Sequence, residues 1–118
     1  MHKNQRYIEL EERITGLKVT VVSLCKKLDY NSINKVLVGQ VIRFIGSIGA
    51  NYCEANEASS LKDTKYKVNL STKEAKESIN WLILSKEANP KFEESLKGIS
   101  LETKEFAKIL ATIERKLS

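Results

Sequence analysis

The stretch RFIGSIGANYCEA, Arg43–Ala55, decides how the chain is read. It places one arginine, one asparagine and one glutamate among residues that are otherwise small or apolar. Leu37, Val41, Phe44, Ile48, Tyr52 and Ala55 recur by threes and fours, which predicts a helix with one long apolar seam. Val36 to Cys53 carries a single charge, Arg43, and by length alone resembles a membrane span. An arginine near the centre of such a span costs roughly 2.5 kcal/mol or more on insertion scales, and Lys and Glu crowd both flanks. The stretch therefore predicts a core helix of a soluble bundle, with no membrane partner.

Asp29–Asn34 (DYNSIN) separates this helix from a preceding one over about Arg6–Leu28, whose Ile14, Leu17, Val21, Leu24 and Leu28 keep the same spacing. Asn31 or Ser32 is placed to cap the second helix, which runs to about Asn56. Ser60 and Asp63 then form the S-x-x-D pattern of a capping box for a third helix. That helix extends to about Ala88, because a residue before proline, here Asn89, disfavours the helical conformation. Pro90–Ser100 (PKFEESLKGIS) is expected to be a connection with a short helical turn. A fourth helix from about Ser100 places Phe106, Ile109, Ile113 and Leu117 on one face. No segment alternates as a strand does. Residues 1–118 thus form a single all-α domain, an antiparallel up-down-up-down four-helix bundle.

The 118 residues are 42% hydrophobic and 30% charged, with a single proline and five glycines, which suits a helical fold with an ordinary core. A net charge of +5 favours attraction to phosphates, although many proteins this basic bind no nucleic acid. Cys25 and Cys53 lack metal-ligand spacing and are expected to be reduced thiols. With no apolar signal core in MHKNQRYIELEER, the expected location is the cytoplasm.

The third helix has more faces than a monomeric bundle needs. Leu61, Thr64, Val68, Ser71, Ala75, Ser78 and Leu82 share one narrow seam. About 120° away, Tyr66, Leu70, Glu74, Glu77 and Trp81 share a second sector. Tyr66, Leu70 and Trp81 predict a subunit interface, since aromatic residues are enriched at interfaces; Trp81 as a cap on the core is the competing reading. On the second helix Arg43, Ser47, Ala50 and Glu54 share one side, with Gly39 and Gly46 allowing close approach. Arg43 and Glu54 are too far apart to pair with each other, so Arg43, Asn51, Glu54, Glu74 and Glu77 are expected to form a polar network that fixes packing, with Glu74 and Glu77 as candidate partners of Arg43. A third sector holds Lys62, Lys65, Lys73 and Lys76 within an arc of about 80°. Such a stripe is either a solvated face or a contact surface for a phosphate backbone.

Enzyme chemistry has little to stand on. A di-iron bundle needs Glu-x-x-His on two helices, and the one histidine is His2. Glu54, Glu74 and Glu77 lie near Arg43, Lys73 and Lys76, which favours ion pairing over a metal. Neither cysteine has a histidine partner, and no glycine-rich phosphate loop follows a strand. The expectation is no catalytic residue, no metal and no cofactor; a carboxylate-based metal protein or enzyme is the least favoured reading.

RFIGSIGANYCEA, LKD and STKEAKESINWL together resemble the four-helix-bundle family encoded by intervening sequences in bacterial 23S ribosomal RNA. The family pattern, approximately R-S-x-x-S-I-G-A-N-I-x-E-A, K-D-F and K-E-A-x-E-x-x-Y-W-L, is matched at Arg43, Ser47–Ala50, Asn51, Glu54 and Ala55. It is matched further at Lys62, Asp63, Lys73–Ala75, Glu77, Trp81 and Leu82. Thr64, Phe44 and Asn80 depart from it. The resemblance implies a homo-oligomer, a five-fold ring of bundles. It also relates the chain to retroelement accessory determinants, basic pentamers that bind a reverse transcriptase and nucleic acid. The functional expectation is a non-catalytic, pentameric basic scaffold for RNA or for a nucleic-acid-processing enzyme such as a reverse transcriptase. The alternative is a protein adaptor ring that binds no nucleic acid.

Overall fold

The computed structural model describes residues 5–117. Four helices account for nearly all of it: α1 (Gln5–Cys25), α2 (Ser32–Glu57), α3 (Leu61–Ala88) and α4 (Glu93–Lys116), with one 3₁₀ turn at Pro90–Phe92. There is no strand among the described residues. Each helix packs on its neighbours in sequence, and α4 closes back onto α1, giving an elongated body of 44 × 22 × 18 Å. Bonds between helices show the alternating direction: the ends of α2 and α3 meet at Asn34 and Asn89, and their middles at Ile48 and Ser71.

Side-chain caps start the two central helices. The Asn31 Oδ1 accepts from the Asn34 amide at 2.8 Å, and the Ser60 Oγ accepts from the Asp63 amide at 3.1 Å. Each contact satisfies a donor that the first helical turn leaves orphaned. Asn34 does more than open α2. Its side chain exchanges two 2.9 Å hydrogen bonds with the Asn89 amide, and also donates to the Asp29 carbonyl. Asn89 donates in turn to the Ser85 carbonyl, so the α1–α2 connection is locked to the α3–α4 corner by two buried amides.

The α3 seam is buried from Thr64 through Val68, Ser71, Ala75, Ser78 and Leu82, as its spacing predicts, whereas Leu61 at the first turn stays 61% exposed. Small hydroxyl side chains let α2 and α3 approach closely, and none is left unsatisfied. Ser71 donates across the seam to the Ile48 carbonyl at 2.7 Å. Thr72, Ser78 and Ser85 donate to the carbonyls four residues back on their own helix.

Three expectations change. The buried α2 residue between Val41 and Ile48 is Ile45, while Phe44 is only half-buried. A 3.6-residue period accommodates either position there. Secondly, α4 begins at Glu93 rather than near Ser100, and Leu96 and Ile99 within the supposed connection are core residues. Pro90 opens the 3₁₀ turn, a position where its missing amide hydrogen costs nothing. Thirdly, the buried line of α4 is Leu96, Ile99, Thr103, Phe106 and Leu110; Ile109, Ile113 and Leu117 are half-buried on the side facing α1.

α2 alone among the described helices is long and apolar enough to cross a membrane. Its apolar line, Leu37, Val41, Ile45, Ile48 and Tyr52, is buried within the bundle, which accounts for the composition.

Candidate functional site

The four stripe lysines of α3 are all exposed. Lys62, Lys65, Lys73 and Lys76 lie on the outer face of α3, on the side that turns towards α4. Asn69, between them in the stripe, is half-buried and donates to the Glu114 carboxylate of α4 at 2.9 Å. This bond ties the stripe to α4. Ion pairing occurs elsewhere: Arg13 pairs with Glu102 at 2.6 Å across α1 and α4, and Lys67 with Glu54 at 2.6 Å across α2 and α3. Among the described residues none of the four stripe lysines is in an ion pair.

Beside this stripe α4 presents its own exposed cations, Lys97, Lys104, Lys108 and Arg115. Their spacing of seven, four and seven residues keeps them within an arc of about 40°. The sequence pattern carries this signal. It is obscured when α4 is started at Ser100, because that excludes Lys97 and shortens the repeat.

The proposed interface residues sit on the opposite flank of α3, towards α2. Tyr66 is 58% exposed, and Leu70 is half-buried. Trp81 is also half-buried and packs against the core, so it partly caps the bundle. Its indole Nε1 is buried with no acceptor among the described residues, and the Gln40 Oε1 of α2 is likewise buried without a donor. The antiparallel register that joins Glu54 to Lys67 and Ile48 to Ser71 brings residues 40 and 81 to the same level. Exposed Ile33 and Val36 of α2 and Leu84 of α3 extend this flank towards the Asn34–Asn89 end.

The five residues expected to form a polar network do not form one within a single chain. Arg43 is exposed and lies over its neighbour Phe44, 5.3 Å from the ring centroid, rather than being buried with Glu74 or Glu77. Glu54 is taken by Lys67, whose ammonium pKa is raised first by that hydrogen bond. Asn51 and Glu74 are half-buried, and Glu77 is exposed. Arg43 and Glu54 stand eleven positions apart on α2, and Ser47 donates to the carbonyl of Arg43 one turn back at 3.0 Å.

At the end of the bundle where α1 begins and α4 finishes, the two helices diverge around a cleft of about 540 Å³. Tyr7, Leu10, Ile109 and Ile113 line it, Arg6 and Lys116 stand at its edge, and Tyr52 contributes to its floor. Burial pushes the Tyr52 phenol up to about 12; the Asn56 side chain offsets part of this, and Glu11 adds to it. Asn56 itself donates to the Glu11 carboxylate at 2.7 Å. Burial also raises the Cys25 thiol, and Cys53 is exposed; both are free.

Among the described residues no group of three or more His, Cys, Asp or Glu side chains is placed to hold a metal ion. His2 lies outside the described residues. What fold and site define together is a basic, all-helical bundle with rows of exposed lysines along α3 and α4 and with exposed Tyr66, Ile33, Val36 and Leu84 on the α2–α3 flank.

Sequence comparison then places it. The family described as 23S rRNA-intervening sequence protein matches residues 7–112, and the chain belongs to that family. Among solved structures it is similar to a protein with unknown function from the S23 ribosomal protein family of Bacteroides thetaiotaomicron VPI-5482. The two are 30% identical, the match covers 94% of this chain and 99% of the other, and the TM-score is 0.81. No curated protein matches the chain.

Proposed function

We propose that the protein is a non-catalytic cytoplasmic scaffold that assembles into a homo-oligomeric ring, a pentamer, and holds RNA or a ribonucleoprotein by its phosphate backbone. The observation that carries this reading is the exposed lysine stripe of α3, whose four ammonium groups share one face and are in no ion pair among the described residues. Ammonium groups that no carboxylate engages keep their charge available to phosphate, and repetition around a ring turns weak contacts into firm retention. Exposed Tyr66, half-buried Leu70 and Trp81, and the adjoining Ile33, Val36 and Leu84 support assembly through the α2–α3 flank. Arg43, Asn51, Glu74 and Glu77 border the same flank, where a second subunit would supply the partners that one chain does not.

The test is size-exclusion chromatography with light scattering, recorded at protein and nucleic-acid wavelengths. A ring-sized peak with a nuclease-sensitive nucleic-acid signal is expected. Trp81→Ala is expected to shift the mass towards monomer, and Lys73→Glu with Lys76→Glu to remove the nucleic acid while leaving the helical signal unchanged. A clean ring would favour a protein adaptor over an RNA scaffold, and a clean monomer would refute the assembly.

A further inference from the structure

The α4 cations extend the α3 stripe into something larger. Lys97, Lys104, Lys108 and Arg115 are exposed, and no ion pair engages any of them among the described residues. Among the described residues the Arg115 guanidinium donates to the Thr112 hydroxyl, at 3.1 Å on its own helix. At 1.5 Å per residue the α4 row runs about 27 Å and the α3 row from Lys62 to Lys76 about 21 Å. Packed helices lie about 8–10 Å apart, so the two rows run side by side where Lys73 and Lys76 meet Lys108 and Arg115, and each continues past the other, α3 with Lys62 and Lys65 and α4 with Lys104 and Lys97, to make one longer staggered strip. Their register is set by the Asn69–Glu114 bond, which brings Lys76 level with Lys108. Glu87 near the end of α3 and Glu93 at the start of α4 close the strip at one end.

The strip has a second property. No Phe, Tyr or Trp falls within the cationic arc of either helix; Tyr66 lies beyond its edge, towards α2. Proteins that hold single strands without sequence preference supply aromatic platforms on which unpaired bases stack. A double helix keeps its bases inside and offers two rows of phosphates, and duplex RNA is recognised largely through shape and backbone.

We infer that the outer faces of α3 and α4 form one two-helix cationic strip that binds the backbone of duplex RNA, with Lys97, Lys104 and Lys108 as contact residues alongside the α3 lysines. This rests on the reading of the protein as an RNA scaffold, and it specifies both the missing half of the site and the form of RNA it takes.

Fluorescence anisotropy with a roughly 20-base-pair RNA duplex and an oligouridine of equal length tests it on the intact protein. The wild type is expected to bind the duplex at least about tenfold more tightly than oligouridine at the same salt. A Lys97→Glu, Lys104→Glu, Lys108→Glu variant is expected to lose at least about tenfold in duplex affinity, with the salt slope lower by about 2 to 3. A control with equal charge change on other helices and turns, Lys26→Glu, Lys27→Glu, Lys35→Glu, should stay close to wild type. If the α4 variant binds like wild type while Lys73→Glu with Lys76→Glu loses binding, the α4 assignment falls and the scaffold reading stands. Equal loss in the α4 variant and the control would leave net charge as the cause and overturn the strip. Oligouridine binding as tightly as the duplex would overturn the duplex assignment. Should the wild type hold neither probe, inference and scaffold reading fall together. Where a reversed variant melts early, glutamine at the same three positions repeats the salt-slope measurement.

Discussion

Tyr52 is fully buried, yet its hydroxyl finds no hydrogen-bond partner among the described residues. Burial favours the neutral phenol and carries its pKa from 10.0 to about 12. The unfolded chain therefore loses this proton about two pH units before the folded chain does. Between those values the unfolded state binds fewer protons, so the stability that the neutral phenol contributes is present below pH 10 and is lost as pH rises towards 12. Tyr52→Phe removes a desolvated hydroxyl that makes no bond of good geometry, and should change stability near neutral pH by no more than about 1 kcal/mol. Denaturant melts between pH 9 and 12 are expected to show a shallower decline for the variant than for the wild type; parallel declines would remove Tyr52 from the alkaline transition. The seam spacing of the sequence located Tyr52 in the core, because periodicity reports the side on which a residue sits. It carried no information on where the phenol ends or what meets it.

At the scale of elements, the glycines separate stability from assembly. A Cβ added at Gly46 or Gly39 on α2, or at Gly16 on α1, would meet nothing within 4 Å. Replacing any of them with alanine should stabilise the isolated chain by up to about 1 kcal/mol through helix propensity alone. Gly46 and Gly39 lie on the outward side of α2 with Arg43, so in an assembly built on the α2–α3 flank the same methyl group meets a neighbour. Gly46→Ala is then expected to raise the melting temperature of dissociated protein but weaken association, whereas Gly16→Ala raises the first without changing the second. Light scattering over a dilution series reads the difference, and equal behaviour of the two variants would exclude Gly46 from the interface. Caps were the most legible features at this scale: Asn31 and Ser60 act through their own side chains on amides three residues on, so local sequence contains the whole interaction. The start of α4 was not legible, because Pro90 both ends one helix and opens the next turn, and Leu96 and Ile99 show their role only once packed. The lysine stripe of α3 was legible from spacing, while the α4 row depended on that misplaced boundary, and the contacts of Arg43 and Glu54 depended on side chains from other turns and helices.

For the molecule as a whole, the helices are not held equally. α2, α3 and α4 pack closely through small seam residues, and α1 engages its two neighbours far less. Near its N-terminal end α1 stands away from α4 around the cleft, and Arg13–Glu102 is an exposed ion pair of the kind that adds little. Its attachment rests mainly on one apolar line, Leu10, Ile14, Leu17, Val21 and Leu24, with the Asn56–Glu11 hydrogen bond beside it. Such a helix behaves as a separate cooperative unit with an opening free energy below that of global unfolding. Native-state hydrogen exchange should accordingly release the amides of α1 together and ahead of those at the α2–α3 centre around Ile48 and Ser71; simultaneous release of both would show one indivisible unit. Each such opening briefly bares the sides of α2 and α4 that α1 covers, an apolar trough as long as a helix. A bundle of this construction therefore carries its own vacancy for a helix of like pattern. At high concentration the nearest supply is α1 of another copy, which makes exchange of that helix between chains the natural route to a swapped assembly.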